Sequence, residues 1–337
     1  MSKKSRSSGT SSGRIYHIEK KVFPTLEALI NHYYETGEML SLRTGARLLT
    51  PIYNTFRMID GSRVNFKDQL GRGNFGEVWK AELLPEHDIV AVKILSGAAS
   101  DKDKAECMAE AKLMTLLDHE NVVRLKGLSL WAQHPNEVPR LLIVLEYCNF
   151  GSLDKLLEKS LLEDRGRVRS LVDSAKGIEY LHKHDIIHRD IASRNCLVVK
   201  GDKKFTVKIG DFGLSRLAPD HYELATKRRL PVYSTAPDAL EAREWTSASD
   251  VWSFGILMHE VYNKGKNPYE VHYLQKGTKL KEMLEQLKSG VRLPLPTGMP
   301  KEIGDLAIRC LKKAQDRPTM SELVVVLKNY HTGLNLP

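Results

Sequence analysis

Eight consecutive residues, HRDIASRN at positions 188–195, bring together an acid, two arginines, a histidine and a carboxamide. A run of this kind fits a solvated loop equally well, so its meaning depends on what accompanies it. Asp190 is a candidate general base, able to accept the proton of an incoming hydroxyl. Further along, Asp211-Phe212-Gly213 adds a second carboxylate. Asn195 and Asp211 offer hard oxygen ligands of the kind Mg²⁺ takes. One carboxamide and one carboxylate are sparse for a metal held by protein alone. They suit a metal whose remaining oxygens come from nucleotide phosphates. Arg189, beside the candidate base, could bind a phosphate carried on a nearby loop.

A second cluster lies upstream. GRGNFGEV comprises Gly71, Arg72, Gly73, Asn74, Phe75, Gly76, Glu77 and Val78 and fits G-x-G-x-x-G-x-V, in which glycines let the backbone turn sharply near phosphates. A dinucleotide-binding fold uses a related pattern, but there the strand runs directly into a helix. Here GEVWKAEL reads as a second strand, which favours a hairpin covering a nucleotide. No G-x-x-x-x-G-K-[ST] occurs, so a P-loop is excluded. Next, VAVKIL puts Ala91 and Lys93 on one face of a strand by period-two alternation. The small residue can admit a flat base and the ammonium can reach phosphate oxygens. Glu110, in a helical run, offers Lys93 a carboxylate that would fix its direction.

These side chains need elements to hold them. FKDQLGRG, GEVWKAEL and DIVAVKIL read as strands, AECMAEAKLMTLL as a helix, and VVRLKGL and RLLIVLEY as further apolar runs. From Gly151 onward the periodicity becomes helical. Val168, Leu171, Val172, Ala175, Ile178 and Leu181 share one stripe, and VWSFGILMHEVY, apolar almost all round, predicts a buried central helix. The expected class is α+β, a small sheet-rich lobe before a larger helical one, with a ligand cleft between them. In front, GRIYHIEK predicts a strand. After Pro24-Thr25, the spacing of Leu26, Leu29, Ile30 and Tyr33 predicts a helix.

Composition narrows the classes. The 337 residues carry a formal net charge of +9, but both signs are interspersed and no basic stripe alternates with aromatics, so nucleic-acid binding is disfavoured. Cys107, Cys148, Cys196 and Cys310 are scattered without a C-x-x-C pair, which disfavours a zinc site or a disulfide framework and suits a reducing compartment. No apolar run approaches the ~18 residues of a membrane span. The start, MSKKSRSSGTSSG, lacks a signal-peptide core, and Ser2 stands where myristoylation needs glycine. A cytoplasmic protein with at most weak membrane contact is expected.

Residues 66–331 resemble a eukaryotic protein kinase domain: the motifs above occur in order and are followed by AP at 236–237, SDVWSFG at 249–255 and DRPTM at 316–320. The resemblance implies a two-lobed fold (66–147 and 148–331) with ATP and Mg²⁺, or Mn²⁺, in the cleft. It implies that Leu70 and Val78 clamp the adenine with Ala91 and Leu197, that Leu145 guards the back of the pocket, and that Glu146, Tyr147 and Cys148 form the hinge. Serine/threonine kinases usually carry lysine two positions after the catalytic aspartate. Here that residue is Ala192, with Arg194 following, and IASRN resembles the LAARN of tyrosine kinases. Pro231 fits the tyrosine-kinase segment that supports a phenol ring. The implied function is a non-receptor protein-tyrosine kinase of Src, Abl or Fes type acting on protein tyrosines. Tyr222 stands close to where such kinases carry a regulatory phosphosite, whose phosphate could pair with Arg189 or Arg216.

Two departures mark the activation segment. Tyr233 and Ser234 replace the usual Lys-Trp, with an expected loss of packing beneath the substrate platform. Asp238 replaces the glutamate that pairs with an arginine at the position of Arg317, with a longer or rearranged ion pair expected. Residues 14–54 resemble the second half of a Src-homology-2 domain, with His17 at its usual histidine but without the strand bearing the phosphotyrosine-binding arginine. Normal phosphotyrosine binding is therefore not expected. Residues 1–13 are expected to be disordered, 55–65 a linker and 332–337 a short tail. A pseudokinase scaffold is the competing class, but Lys93, Glu110, Asp190, Asn195 and Asp211 are all present.

Overall fold

Alternation along DIVAVKIL determines how the first lobe is built, because each strand residue that faces a core leaves its neighbours to face the cleft. The computed structural model describes residues 16–18, 21–23, 32, 36, 38–41, 46–47, 57–73, 76–96, 100–132, 137, 139–201, 205–217 and 231–334. The chain divides into two units, 1–55 and 56–337.

In the first unit, β1 (Tyr16–Ile18) pairs antiparallel with β2 (Lys21–Phe23), and β3 (Met39–Ser41) with β4 (Ala46–Arg47). The strand expected in GRIYHIEK is therefore present. Of the following segment only His32 and Thr36 are described, both helical, so most of the expected helix lies outside the described residues. Thr36 Oγ1 donates to the His32 carbonyl at 2.7 Å, and Lys21 Nζ donates to both His32 and Glu38.

The second unit opens with β5 (Met58–Asp60), a 3₁₀ turn (Gly61–Arg63), β6 (Val64–Gly73), β7 (Gly76–Leu83) and β8 (Asp88–Leu95). Helix α1 (Asp101–Thr115) follows, then β9 (Leu125–Trp131) and β10 (Arg140–Glu146). The six strands form one sheet in the order β5-β9-β10-β8-β7-β6, antiparallel except for β5 on β9. The expected linker over 55–65 is corrected here. Ile59 and Val64 are buried in the sheet's core, and the polar run Asp60–Arg63 that reads as a connector is a tight turn between two strands. Val90, Val92 and Ile94 of β8 face that core with Ala81, Leu142 and Val144, which leaves Ala91 and Lys93 on the opposite face.

Helix α1 begins four residues before the apolar run that announced it. Ser100 caps it through a box in which Asp103 N donates to Ser100 Oγ at 3.2 Å and Ser100 N donates to Asp103 Oδ2 at 2.8 Å. The S-x-x-D spacing is the signal that would have located this start.

The helical lobe contains α2 (Leu153–Glu158), α3 (Asp164–Lys183), β11 (Ile186–Ile187), β12 (Cys196–Lys200), β13 (Phe205–Ile209) and β14 (Arg216–Leu217). It continues with α4 (Pro237–Ala242), α5 (Ser247–Tyr262), α6 (Pro268–Gln275), α7 (Leu280–Lys288), α8 (Lys301–Cys310) and α9 (Met320–Gly333). Helix α9 thus runs two residues into the segment expected to be a tail. The predicted stripe of α3 is buried throughout, and every residue of α5 from Ser249 to Tyr262 is buried. Gly255 permits this: a Cβ there would stand 2.8 Å from Cys310 Cβ, so glycine lets α5 and α8 touch. All four cysteines are buried thiols, and among the described residues no helix is long and apolar enough to cross a membrane. The α+β, two-lobed expectation is borne out. The tail over 1–13 lies outside the described residues.

Candidate active site

The two lobes of residues 56–337 enclose a cleft of 440 Å³ whose lining takes Leu70, Gly71, Val78, Ala91 and Lys93 from the sheet and Glu110 from α1. The helical lobe adds Arg194, Asn195, Leu197 and Asp211, and the connection between lobes adds Glu146, Tyr147 and Cys148. Lys93 Nζ donates to both carboxylate oxygens of Glu110, at 2.7 and 2.9 Å. Glu110 is only 5% exposed, so this charge faces its lysine rather than water. Both members are held from behind: β8 is an interior strand, and α1 buries Ala111 and Met114 beside the glutamate.

The loop 188–195 hangs from α5. Asp250, fully buried, accepts from His188 N at 2.8 Å, Arg189 N at 2.9 Å and His182 Nε2 at 3.1 Å. Burial pushes its carboxyl up, but the His182 hydrogen bond and the nearby histidine charges outweigh burial and hold it below the ordinary aspartate range. Arg189 takes a left-handed φ of 68°, which turns the chain, and its guanidinium lies 5.3 Å from the centre of the Trp245 ring. Glu260, also on α5, accepts from Ser193 N at 2.7 Å. His188 Nε2 reaches the Gly210 carbonyl at 3.1 Å and its Nδ1 accepts from Asp190 N at 3.3 Å, so the histidine ties the loop to the strand before Asp211.

Asp190 is bonded by the Arg194 guanidinium, and Asn195 Nδ2 donates to the Asp190 carbonyl at 2.8 Å. Burial dominates the Asp190 carboxyl and, with a smaller push from Asp211, raises it above the ordinary value against the opposing charges of Arg194 and His188. Asp211 has a left-handed backbone (φ 58°, ψ 75°), a strained conformation for a residue with a side chain, and its Oδ1 accepts from Gly213 N at 3.4 Å. Phe212 behind it is fully buried against the His188 ring, 5.2 Å between centroids.

Among the described residues no group of three or more His, Cys, Asp or Glu side chains could hold a metal. A divalent cation in this cleft would have Asp211 and Asn195 as its protein oxygens, and phosphates would complete its shell. The Asn195 amide fits that role, because donation from Nδ2 to Asp190 turns its oxygen away from that carbonyl.

Of the expected nucleotide contacts, Leu70, Gly71, Val78, Ala91, Lys93, Glu146, Cys148 and Leu197 line the cleft. Arg72 does not: it is exposed on the hairpin, 3.8 Å from Glu77. Gly73 pairs with Gly76 across the hairpin, and Gly76 shapes that hairpin without lining the cavity. Gly76 has φ +151°, and a Cβ there would sit 1.9 Å from the Ile94 carbonyl oxygen, so the third glycine is required by β8. Asn74, Phe75 and Tyr222 lie outside the described residues. The Glu146 carboxylate is engaged by Lys208 at 2.8 Å, and burial pushes the Cys148 thiol up to about 12, leaving it neutral. Met114, Val123, Gly151, Ser152, Lys155 and Gly210 also line the cleft and were not foreseen. The apolar ones read as ordinary core in sequence, and Lys155 reads as a solvated helix residue.

The altered segment also differs from expectation. The Asp238–Arg317 pair is neither lengthened nor rearranged: Arg317 reaches both carboxylate oxygens, Nη1 to Oδ2 at 3.2 Å and Nη2 to Oδ1. Arg317 Nε and Nη1 also donate to the Lys312 and Ala248 carbonyls, each at 2.9 Å. Because Asp238 keeps 45% of its side chain exposed, the shorter acid meets a buried arginine at the surface.

Residues 64–327 match the family model for protein tyrosine and serine/threonine kinases. Tyrosine-protein kinase Fer of Rattus norvegicus is 33% identical over 314 residues, which span 92% of this chain and 36% of Fer. The tyrosine-protein kinase transforming protein Fps of avian sarcoma virus (strain PRCII) is 33% identical over 300 residues, 88% of this chain and 54% of Fps. Fer-related kinase 1 of Caenorhabditis elegans is 31% identical over 323 residues, 95% of this chain and 79% of that protein. The chain belongs to the protein tyrosine and serine/threonine kinase family. It spans about a third of the length of the Fer protein it matches.

Proposed function

We propose that the chain is an ATP-dependent protein-tyrosine kinase, transferring the γ-phosphoryl group of ATP to tyrosine hydroxyls of proteins in intracellular signalling. The observation that carries this reading is the convergence in one cleft of the Lys93–Glu110 pair with Asn195 and Asp211, beside Asp190. Lys93, oriented by Glu110, neutralises nucleotide phosphates. Asp190, its carboxyl raised by burial, accepts the proton of the attacking phenol, and Arg194 holds that carboxylate in place. A magnesium ion, with manganese as a substitute, would supply charge neutralisation at the phosphates and be held by Asn195 and Asp211. Ala192, in place of lysine, together with Arg194 and Pro231, favours tyrosine as acceptor, as does the similarity to the tyrosine-protein kinases Fer and Fps. In this reading Tyr222 is an activating phosphosite, and Tyr222→Phe lowers activity after preincubation with ATP. Equal rates would refute that role.

The domain plan we propose is a front segment over 14–54 derived from a Src-homology-2 domain, followed by the kinase domain. The match to Fer covers more of the chain than residues 56–337 could supply, which supports a shared front segment. Without its arginine strand that segment does not bind phosphotyrosine in the usual way. Micromolar binding of a phosphotyrosine peptide by the full chain would count against this. A cytoplasmic location without a nucleic-acid partner completes the proposal.

The deciding experiment offers ATP, Mg²⁺ and a random peptide pool containing Tyr, Ser and Thr. Phosphate is expected on tyrosine and absent with Asp190→Asn. Serine or threonine labelling would overturn the acceptor assignment, and no labelling by the parent would favour the pseudokinase class.

A further inference from the structure

The tyrosine-kinase pattern puts a large tryptophan where this chain has Ser234, beneath the segment that would support the acceptor phenol. Loss of that ring should leave the segment loosely packed. Instead Ser234 is 3% exposed, and its surroundings are a set of directed hydrogen bonds.

Asn267, 8% exposed, stands at the N-cap of α6. Its Oδ1 accepts from Tyr269 N at 2.9 Å and Glu270 N at 3.2 Å. Those two backbone donors fix the amide, since the flipped orientation would set N–H against N–H. Nδ2 is therefore the atom facing Ser234, and it donates to Ser234 Oγ at 2.9 Å. From the other side, Ser253 Oγ on α5 donates to the Ser234 carbonyl at 2.8 Å. The turn itself is closed by three donors on the Pro231 carbonyl: Ser234 N at 2.9 Å, Thr235 N at 3.0 Å and Thr235 Oγ1 at 3.0 Å. Between these ties, Tyr233 packs on the buried cluster that contains Trp252, Ile256 and Tyr269.

We infer that Ser234 and Asn267 form a buried polar clamp, in place of the missing tryptophan, that positions the 231–235 platform for the acceptor tyrosine. Asn267 is thus a positioning residue for the protein substrate. The inference rests on the kinase reading above. A tryptophan holds its neighbours through contact area, which is tolerant of direction. Hydrogen bonds are directional, so the clamp defines one placement of the platform relative to α5 and α6. Neither Asn267 nor residues 231–236 line the nucleotide cleft, so the clamp acts on the peptide and not on ATP.

The test uses the full chain with three variants. Ser234→Ala removes the acceptor. Asn267→Ser keeps a capping oxygen for α6 but is too short to reach Ser234. Asn267→Asp keeps the cap and accepts the Ser234 hydroxyl proton, so it should restore the tie. For Ser234→Ala and Asn267→Ser, the KM for a tyrosine peptide should rise about fivefold, the scale of one net hydrogen bond, while the KM for ATP stays put. Asn267→Asp should behave like the parent. Amide hydrogen exchange should accelerate over 231–236 in the first two variants and nowhere else.

Unchanged exchange and unchanged peptide KM in both variants would overturn the clamp. So would a parallel rise in the KM for ATP, or loss of the unfolding transition in Ser234→Ala, either of which would mark a general structural role. A parent without phosphotransfer would defeat the kinase reading alone, because the exchange measurement still decides whether the clamp holds the platform.

Discussion

Asp190 is subject to opposed influences at the scale of a single carboxyl group. Burial and Asp211 raise it, and Arg194 and His188 lower it, with burial ahead. Its protonated fraction therefore persists to a higher pH than for an ordinary aspartate, and the acidic limb of the kcat/KM profile should lie above the usual aspartate range. Arg194→Ala removes one of the lowering charges. The limb should then move to still higher pH, whatever happens to the height of the profile. Peptide phosphorylation rates from about pH 5 to 8 at fixed ionic strength would check this. An acidic limb that stays in place in the variant would mean that Arg194 does not set the base. Residues of this kind were legible because their types and spacing are constrained by chemistry. Asp190, Asn195, Asp211, Lys93 and Glu110 could each be assigned a role before any geometry was known. Met114 and Val123 could not, since an apolar side chain under a ligand and one under another helix have the same sequence signature. The Asp238–Arg317 pair was misjudged because the missing methylene was weighed without the freedom of a half-exposed acid to approach its partner.

Among the elements, α5 has the widest influence. Its all-round apolarity predicted burial, and its few polar residues explain why it is placed centrally. Asp250 and Glu260 hold the 188–195 loop at His188 and Arg189 and at Ser193. His259 and Glu260 are adjacent, both are buried, and their protonation is linked to stability with opposite signs. Burial pushes Glu260 up to about 7 from 4.5, so its contribution is complete below about 4.5 and is lost as pH rises through about 7. Burial lowers His259 to about 4 from 6.5, so its contribution is complete above 6.5 and is lost as pH falls through about 4. Between roughly pH 4.5 and 6.5 the two slopes cancel, which hides both from a scan of the parent. Glu260→Gln should expose the histidine slope: relative to the parent, its stability should rise with pH by up to about 1.4 kcal/mol per unit. His259→Gln should show the opposite trend. Urea midpoints at intervals between pH 5 and 6.5 would read both, and parallel lines for parent and Glu260→Gln would refute the assignment.

For the whole molecule, the order of periodicities was the readable feature. Period-two strands give way near Gly151 to helical spacing, and the two lobes follow that change. The boundary in front of them was less readable, because Asp60–Arg63 has the composition of a linker while its flanking residues Ile59 and Val64 complete a sheet. Each lobe has its own buried cluster, Ile59 to Val144 in the sheet and Leu113 to Leu327 chiefly in the helices. The cleft takes residues from both lobes, so a nucleotide bound there bridges the two and stabilises the native state by mass action. At a hundredfold excess over its Kd, ATP with Mg²⁺ should add about 2.7 kcal/mol to the unfolding free energy. The increment should have two separable parts. Lys93→Met removes a charge that meets phosphate and should shrink it with or without metal. Asp211→Asn weakens a metal ligand and should abolish only the extra stabilisation that Mg²⁺ gives over ATP alone. Thermal unfolding of the three proteins with ATP, ATP plus Mg²⁺ and neither would separate the effects. If the Asp211→Asn protein keeps the full Mg²⁺-dependent increment, the metal is held elsewhere and the division of roles within the cleft must be redrawn.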